Sequence, residues 1–280
     1  MEAYPTSTFA GMTATLSALH IYPIKSLGGL SLTEAELTPR GLQHDRRWLL
    51  VDYNRRFLTQ REHPEMALLA LELAHNGFLV RHRQRPELLP LYVPFAATPD
   101  KTLFVQIWGD MVFAWRGAPA ADEWFSQALG QPCQLVYMSD MVRREVEPDK
   151  NPPGTLVSFA DAYPYLLTSE ESLAYLNAQL AEPVPMNRFR PNLVVRGALA
   201  ESETTWQDFR IGGHPFRSVA GCGRCVVTTI DQVSAQKHPR REPLRTLATY
   251  RRHGDSIQFG QNITGPTGGR VRVGDLVEIL

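Results

Sequence analysis

Cys222 and Cys225 stand three residues apart in Gly221-Cys222-Gly223-Arg224-Cys225, and the chain has one other cysteine, Cys133. Thiols at this spacing can ligate a metal, exchange with a disulfide, or form a buried structural pair. Arg224 sets a cation between the two sulfurs, which favours the thiolate, the form that ligates and attacks. Gly221 and Gly223 let the backbone bend closely around a ligand. The β-branched run Val226-Val227-Thr228-Thr229-Ile230 predicts a strand directly after the thiols. A thioredoxin-type dithiol needs its first cysteine at a helix N-terminus, so a strand there argues against that chemistry. A structural zinc site needs two further ligands, but there is no second C-x-x-C, and His214, His238 and His253 show no paired spacing. A fourth reading is one thiolate on a cofactor metal, with the loop backbone wrapped around an anionic organic ligand.

Such a ligand calls for cations brought in from elsewhere. Lys25-Ser26, Arg46-Arg47, and Arg188 with Arg190 in Asn187-Arg188-Phe189-Arg190-Pro191-Asn192 stand at loop–strand junctions. Arginine forks match phosphate bidentately, and asparagine offers an acceptor and donors to a heterocycle edge. Taken singly, an arginine ahead of a strand is more often a solvated strand end than a ligand contact. Composition makes the local argument necessary. Lys plus Arg and Asp plus Glu number 29 each, so no net field draws the chain to nucleic acid or an anionic membrane. Any anion site must be built from arginines gathered locally.

The 280 residues hold one large domain or two medium ones, with 43% apolar and 21% charged residues, ordinary values for a soluble globular protein. Three cysteines make no disulfide framework, so a cytoplasmic protein is expected. Residues 1–15 show no signal-peptide pattern, and Met12 is an alternative start that would make 1–11 an extension. No apolar run approaches the roughly 18 residues that span a bilayer.

The elements that must position these residues are mostly short strands. Alternation predicts them at Leu16–Tyr22, Leu32–Leu37, Trp48–Asp52, Phe78–Arg83, Leu91–Val93 and Leu103–Trp108, with glycine-, proline- and asparagine-marked turns between. Many short strands with regular turns suggest a barrel or sandwich. A helix is predicted over Ala121–Leu129, stopped by Gly130. The charged, proline-rich stretch Arg143–Gly154 reads as an exposed connection or a lid over a site. Beyond it, Thr168 and Glu171 have capping-box spacing for a helix with Leu173, Leu176 and Leu180 on one face. Strands follow at Leu193–Arg196 and Val226–Ile230, a helix at Pro243–Arg252 facing Leu244, Leu247 and Tyr250 inward, and a terminal hairpin over Arg270–Leu280.

Six ordered motifs then carry a family resemblance across Leu16 to Leu280. They are Tyr22-Pro23-Ile24-Lys25-Ser26, Asp45-Arg46-Arg47-Trp48, Asn187 through Asn192, Cys222 through Asp231, Phe259-Gly260-Gln261-Asn262 and Val273-Gly274-Asp275. In this order they resemble MOSC proteins, named for the molybdenum cofactor sulfurase C-terminal domain. The match is to the subgroup with an N-terminal MOSC β-barrel, which includes the mitochondrial amidoxime-reducing component and its bacterial relatives. The resemblance implies a mainly β fold with a few helices, in which an N-terminal β-barrel-like module (14–137) packs on a C-terminal MOSC β-barrel (155–280).

It also implies a molybdopterin-type molybdenum cofactor. Cys225 matches the family's protein ligand of molybdenum, with Gly223 and Arg224 beside it. Lys25, Ser26 and Arg46 match the N-terminal positions that hold the cofactor, and Arg190 and Asn192 the pair from the second half. Asn262 stands where the family has a tyrosine, and Ala162-Tyr163 where it has Thr-Ser. Asp161 keeps that segment's acidic residue and is the candidate proton donor, on the expectation that an anionic cofactor raises its pKa; a turn or cap role is its alternative. The implied reaction reduces small N-hydroxylated substrates, two electrons and two protons giving N–H plus water. The alternatives are a cofactor carrier or sulfur-transfer module without turnover, and a thiol oxidoreductase needing both cysteines. No iron–sulfur cluster is expected, since C-x₄-C-x₂-C is missing from this chain. Electrons would come from a ferredoxin or flavin reductase in trans, or from a domain trimmed away. Nothing points to pyridoxal phosphate, nucleic acid or membrane partners.

Overall fold

The computed structural model describes residues 13–97, 101–146 and 153–280. The candidate start at Met12 and the middle of the 143–154 segment lie outside the described residues. The protein is mainly β, with three α-helices at Pro119–Leu129, Glu170–Asn177 and Leu244–Tyr250 among the described residues.

Seven strands close into a barrel. In hydrogen-bonded order they are Tyr165–Ser169, Leu193–Arg196, Ala14–Ile21, Leu276–Ile279, Asp208–Ile211, His214–Gly223 and Ser256–Thr264, and the last pairs back with the first. Closure removes the free edges an open sheet would expose. Only the pair Tyr165–Ser169 and Leu193–Arg196 is parallel, joined by the Glu170–Asn177 helix as a crossover requires. Ala14–Ile21 buries Ala14, Leu16, Leu19 and Ile21, its alternation shifted by an irregularity between Leu16 and Ala18, and Leu16, Leu19 and Ile21 are at most 1% exposed. The N-terminal strand is therefore a stave of the barrel made otherwise by the chain's second half.

Smaller sheets pack beside it. Trp48–Val51, Gln134–Tyr137, Asp110–Arg116 and Thr102–Ile107 form a four-stranded sheet; Leu69–Ala74, Gly77–His82 and Leu91–Pro94 form a three-stranded one. One apolar cluster runs from the barrel strands through Trp48, Phe78 and Phe125, so both halves share a core. Gly41 marks how closely they meet. At φ 108° it occupies a conformation that excludes most side chains, and a Cβ there would lie 2.3 Å from the carbonyl oxygen of Pro164.

Four local expectations are corrected. Val226–Thr229 is a single 3-10 turn and not a strand. Its threonines fold back on the backbone, Thr228 Oγ1 donating to the Cys225 carbonyl at 3.0 Å and Thr229 Oγ1 to Val226 at 2.7 Å. Those local bonds offer the backbone an alternative to a ladder and override β-propensity. The terminal hairpin does not form: Arg270–Arg272 pairs with Glu34–Thr38, while Leu276–Ile279 enters the barrel. The helix after the segment at 155 is capped by Ser169, whose side chain accepts from the Ser172 amide, because Thr168 is still in the strand. The last helix ends at Tyr250, and Arg252–His253 pairs with Ser256–Ile257. Leu176, Leu244 and Leu247 are buried as their spacing predicts. The described ends of the 143–154 segment are drawn together, with Glu145 bridged to Leu156 and the Val146 amide donating to Thr155 at 2.9 Å.

Candidate functional site

A cavity of about 310 Å³ opens where the first-half turns meet one end of the barrel. All ten residues picked out from the sequence line it: Lys25, Ser26, Arg46, Asp161, Arg190, Asn192, Gly223, Arg224, Cys225 and Asn262. They are supplied by different elements. Lys25-Ser26 follows the Ala14–Ile21 strand, and the Lys25 amide donates to the Trp48 carbonyl at 2.9 Å. Arg46 lies in the turn before Trp48–Val51, with its amide on the Tyr22 carbonyl at 3.0 Å. Arg190 precedes Leu193–Arg196. Cys222 and Gly223 end the long strand His214–Gly223, Cys225 begins the 3-10 turn, and Asn262 sits between two neighbouring barrel strands.

Three of these residues have strained backbones. Ser26, Arg46 and Arg190 have φ of 67°, 47° and 56°. Each costs of order 1 kcal/mol and persists only where the surroundings hold it, which happens most often at ligand sites. Gly221 and Gly223 do not adopt such angles. They make room instead, since a Cβ on Gly221 would meet the Gln258 side chain at 2.0 Å and one on Gly223 would meet Ser256 Oγ at 2.8 Å.

The cavity is strongly cationic. Lys25, Arg46, Arg61, Arg190 and Arg224 line it against one carboxylate, Asp161. Arg46 and Arg190 lie over Tyr22, 4.4 and 4.2 Å from the ring centre. Burial pushes the Tyr22 phenol up to about 12 despite the Arg190 charge, and its hydroxyl donates to the Pro191 carbonyl at 3.2 Å. Arg46 is held by Asp45 at 2.6 Å and by Asn192 Oδ1 at 3.0 Å. That asparagine oxygen also accepts from the Leu166 amide, and Nδ2 donates to the His20 carbonyl at 3.1 Å. Asn192 thus braces Arg46 and leaves one amide hydrogen over.

Arg190 and Arg224 are incompletely paired. Arg190 Nη1 donates to the Leu27 carbonyl at 2.6 Å, while its buried Nη2 has no partner. Arg224 donates to the Phe189 carbonyl at 2.6 Å and contacts Cys222 Sγ at 2.9 Å, while its buried Nε has none. Buried unpaired N–H groups of charged side chains are costly. Two of them beside one cavity suit an anion that would accept from both. Among the described residues no three His, Cys, Asp or Glu side chains gather to hold an ion. A metal at Cys225 would therefore draw most of its ligands from a bound group, as a dithiolene cofactor provides.

Asp161 departs from expectation. Burial would raise its pKa, but the Lys25 charge and hydrogen bond, with Arg61 and Trp108, outweigh it and hold the carboxyl well below the usual carboxylate range. Asp161 is an ionised acceptor for Lys25 Nζ and for Trp108 Nε1 at 3.2 Å. Lys25 itself is drawn below its ordinary value by burial, with Asp161 opposing.

Two arginines proposed beside these do not reach the cavity. Arg47 binds the Met138 carbonyl and Asp140, and Arg188 ties Asp231 at 2.9 Å. Sequence reasoning missed Tyr22 as a shared platform, and missed Thr59 and Arg61 in the wall. Tyr22 belongs to the motif that carries Lys25, which is the signal that could have found it. Arg61 has no comparable flag.

Comparison with known proteins agrees with this architecture. Residues 13–132 match the MOSC N-terminal beta barrel domain and residues 155–278 the MOSC domain. The chain is 34% identical over 282 residues to mitochondrial amidoxime-reducing component 1 of Mus musculus, covering 95% of this chain and 82% of that protein. The Xenopus laevis protein of the same name is 32% identical, with 94% and 81% covered. Molybdenum cofactor sulfurase of Oryza sativa subsp. japonica is 35% identical over 263 residues, 88% of this chain but only 32% of that protein's length. The chain belongs to the family of MOSC-domain proteins that carry an N-terminal MOSC β-barrel domain.

Proposed function

We propose that this chain binds a molybdopterin-type cofactor and reduces N-hydroxylated compounds, N–OH to N–H plus water, with electrons from a separate ferredoxin or flavin reductase. One observation carries the reading: ten positions drawn from distant segments line a single cationic cavity that holds both the Cys225 thiol and unpaired guanidinium N–H groups. Names of relatives over most of the chain support it.

In this reading Cys225 would ligate the metal, and Arg190, Arg46 and Arg224 would hold the phosphate and pterin, with Ser26, Gly223 and Asn262 around them. The bound cofactor would supply the two electrons for breaking the N–O bond. The protein orients the substrate and delivers protons. Asp161, exposed on one side at 54%, faces this task already ionised. It would therefore anchor Lys25 and Arg61, and the ammonium of Lys25, lowered by burial, would be the neighbouring proton source.

A second reading, a cofactor carrier or sulfur-delivering module, is favoured by the match to the sulfurase of Oryza sativa. The same thiol and arginines would serve it. Protein made in a host able to synthesise the cofactor separates the two, by molybdenum content and by turnover of benzamidoxime with a chemical electron donor. Cys225→Ser is expected to abolish metal retention and turnover, and Cys222→Ser to be milder. Equal metal content in the Cys225 variant defeats both readings, and equal damage from both substitutions would favour a dithiol mechanism.

A further inference from the structure

A second cavity, of about 670 Å³, lies beside the first. Thr59 and Arg61 line both. Trp108 stands at the junction: its ring lies under the Arg61 guanidinium at 4.6 Å, its Nε1 donates to Asp161, and its centroid is 4.9 Å from that of Phe57.

The placement of that indole is costly. Trp108 occupies the hairpin tip between Thr102–Ile107 and Asp110–Arg116 with φ 54°, although Gly109 is next to it. A left-handed residue in a tight hairpin is normally glycine, asparagine or aspartate, and a bulky one there is an outlier. The ring is not buried in exchange, being 42% exposed. Its polar and cationic contacts go to Asp161 and Arg61, both in the wall of the cationic cavity. Strain of this kind, held by a site and not by a core, points toward function.

The second cavity's lining specifies a ligand. Trp108, Phe57 and Tyr53 offer aromatic surface, and Tyr53 is 79% exposed. Gln131 and His63, 3.0 Å apart, offer donors and acceptors at one edge. Arg56 and Arg61 are balanced by Asp52 and Glu62, so the lining carries no net charge. The volume falls in the range of small-molecule sites, about 300–1,000 Å³. We propose that this cavity receives the planar body of a neutral aromatic or heteroaromatic N-hydroxylated substrate, stacked on Trp108, with the N–O group passing Arg61 and Asp161 toward Cys225. The assignment rests on the reductase reading above and adds to it a ring-binding cavity and a specificity-determining residue.

The test compares Trp108→Ala and Trp108→Phe in cofactor-loaded protein. Benzamidoxime carries a ring, and hydroxylamine presents the N–O bond without one. Stacking of a ring on an indole predicts that Trp108→Ala lowers the benzamidoxime-to-hydroxylamine ratio of kcat/KM about tenfold, and raises the benzamidoxime Kd, read by NMR titration without electron donor, by a similar factor. Trp108→Phe keeps a ring but not the N–H to Asp161, so it should retain most of both. An unchanged ratio and Kd in Trp108→Ala overturn the proposal, as does a Trp108→Phe protein as impaired as Trp108→Ala, which would assign the residue to the Asp161 hydrogen bond alone. If the wild-type protein reduces neither compound, the reductase reading fails, while the benzamidoxime Kd still decides whether the cavity binds the ring.

Discussion

Replacing Arg190 by methionine should leave the cofactor-free protein as stable as the parent, or more so, while emptying the site. Burial lowers the Arg190 guanidinium from 12.5 to about 10; the Arg46 charge adds to this, and Tyr22 and Asp45 recover only part. At about 1.36 kcal/mol per pH unit, that is about 3 kcal/mol of unfavourable charge at neutral pH. The folded value lies below the unfolded one, so the penalty is complete below about pH 10 and fades as pH rises toward 12.5. Methionine keeps an unbranched stem and removes the charge. It also loses the bond to the Leu27 carbonyl and the contact with Tyr22, together about 2–3 kcal/mol. The balance lies between zero and a gain of about 1 kcal/mol. A fully paired structural charge would instead cost about 3–5 kcal/mol on removal. Denaturant unfolding of protein from a host lacking cofactor synthesis measures the first quantity. Molybdenum per chain from a competent host measures the second, which should fall about 10–100-fold with the loss of charge-assisted bonds. A cofactor-free variant weakened by more than about 2 kcal/mol that still holds its metal would refute the idea that Arg190 is kept for an anion.

Two further outcomes concern stability. His44 stacks on Phe95 with centroids 3.8 Å apart, and burial, then Arg47, pulls its pKa from 6.5 to about 4. Its folded value lies below the unfolded one, so its support is present above pH 6.5 and is lost as pH falls toward 4. For a partly solvated ring this amounts to about 2 kcal/mol; His44→Phe should flatten the stability profile across that window, and an unaltered profile would exclude His44 as the cause. Gln60 and Gln232 form a buried reciprocal amide pair, with bonds of 3.2 and 3.1 Å, and Gln60 also holds the Ser26 carbonyl at 2.6 Å. Gln232→Met should cost about 1–3 kcal/mol by stranding its partner, and adding Gln60→Met should restore part of it; strictly additive losses in unfolding measurements would show the pair is not coupled.

The strands were legible because burial imposes a period of two. Ala14 with Leu16 and Leu19 with Ile21 show it on either side of an irregularity between Leu16 and Ala18, as do the alternating residues of Thr102–Ile107. What could not be read was pairing. Arg270–Arg272 and Leu276–Ile279 look like a hairpin, yet neither pairs with the other: the first pairs with Glu34–Thr38, and the second lies between Ala14–Thr15 and Asp208–Ile211. Gly274, at φ 99°, turns the chain between two different sheets instead of within one. The Val226–Thr229 turn was hidden for another reason. Its β-branched residues carry strand propensity, but two of them are threonines whose hydroxyls bond their own backbone, and propensity scales do not contain that competition.

The site was legible in residue type and illegible in pairing, and the difference between Arg188 and Arg190 shows why. Two residues apart in one motif, they are equivalent on paper. In the fold Arg188 meets Asp231, Arg47 meets Asp140 and Arg144 meets Asp110, so these three arginines outside the cavity have carboxylates of their own, whereas buried Arg40 is held by carbonyls. Among the described residues Arg190 and Arg224 have none, and donate to carbonyls and a thiol instead. In the cavity Lys25 and Arg61 share Asp161 and Arg46 has Asp45, while Arg190 and Arg224 are left without a carboxylate, so a chain with equal numbers of acidic and basic residues carries an excess of positive charge there. Asp161 follows the same logic from the other side. Whether it is an acid or an acceptor depends on Lys25, 136 positions earlier in the chain, and no local pattern around Asp161 carries that information. The chemistry open to each group is set by which partners the fold gives it and which it leaves for a ligand.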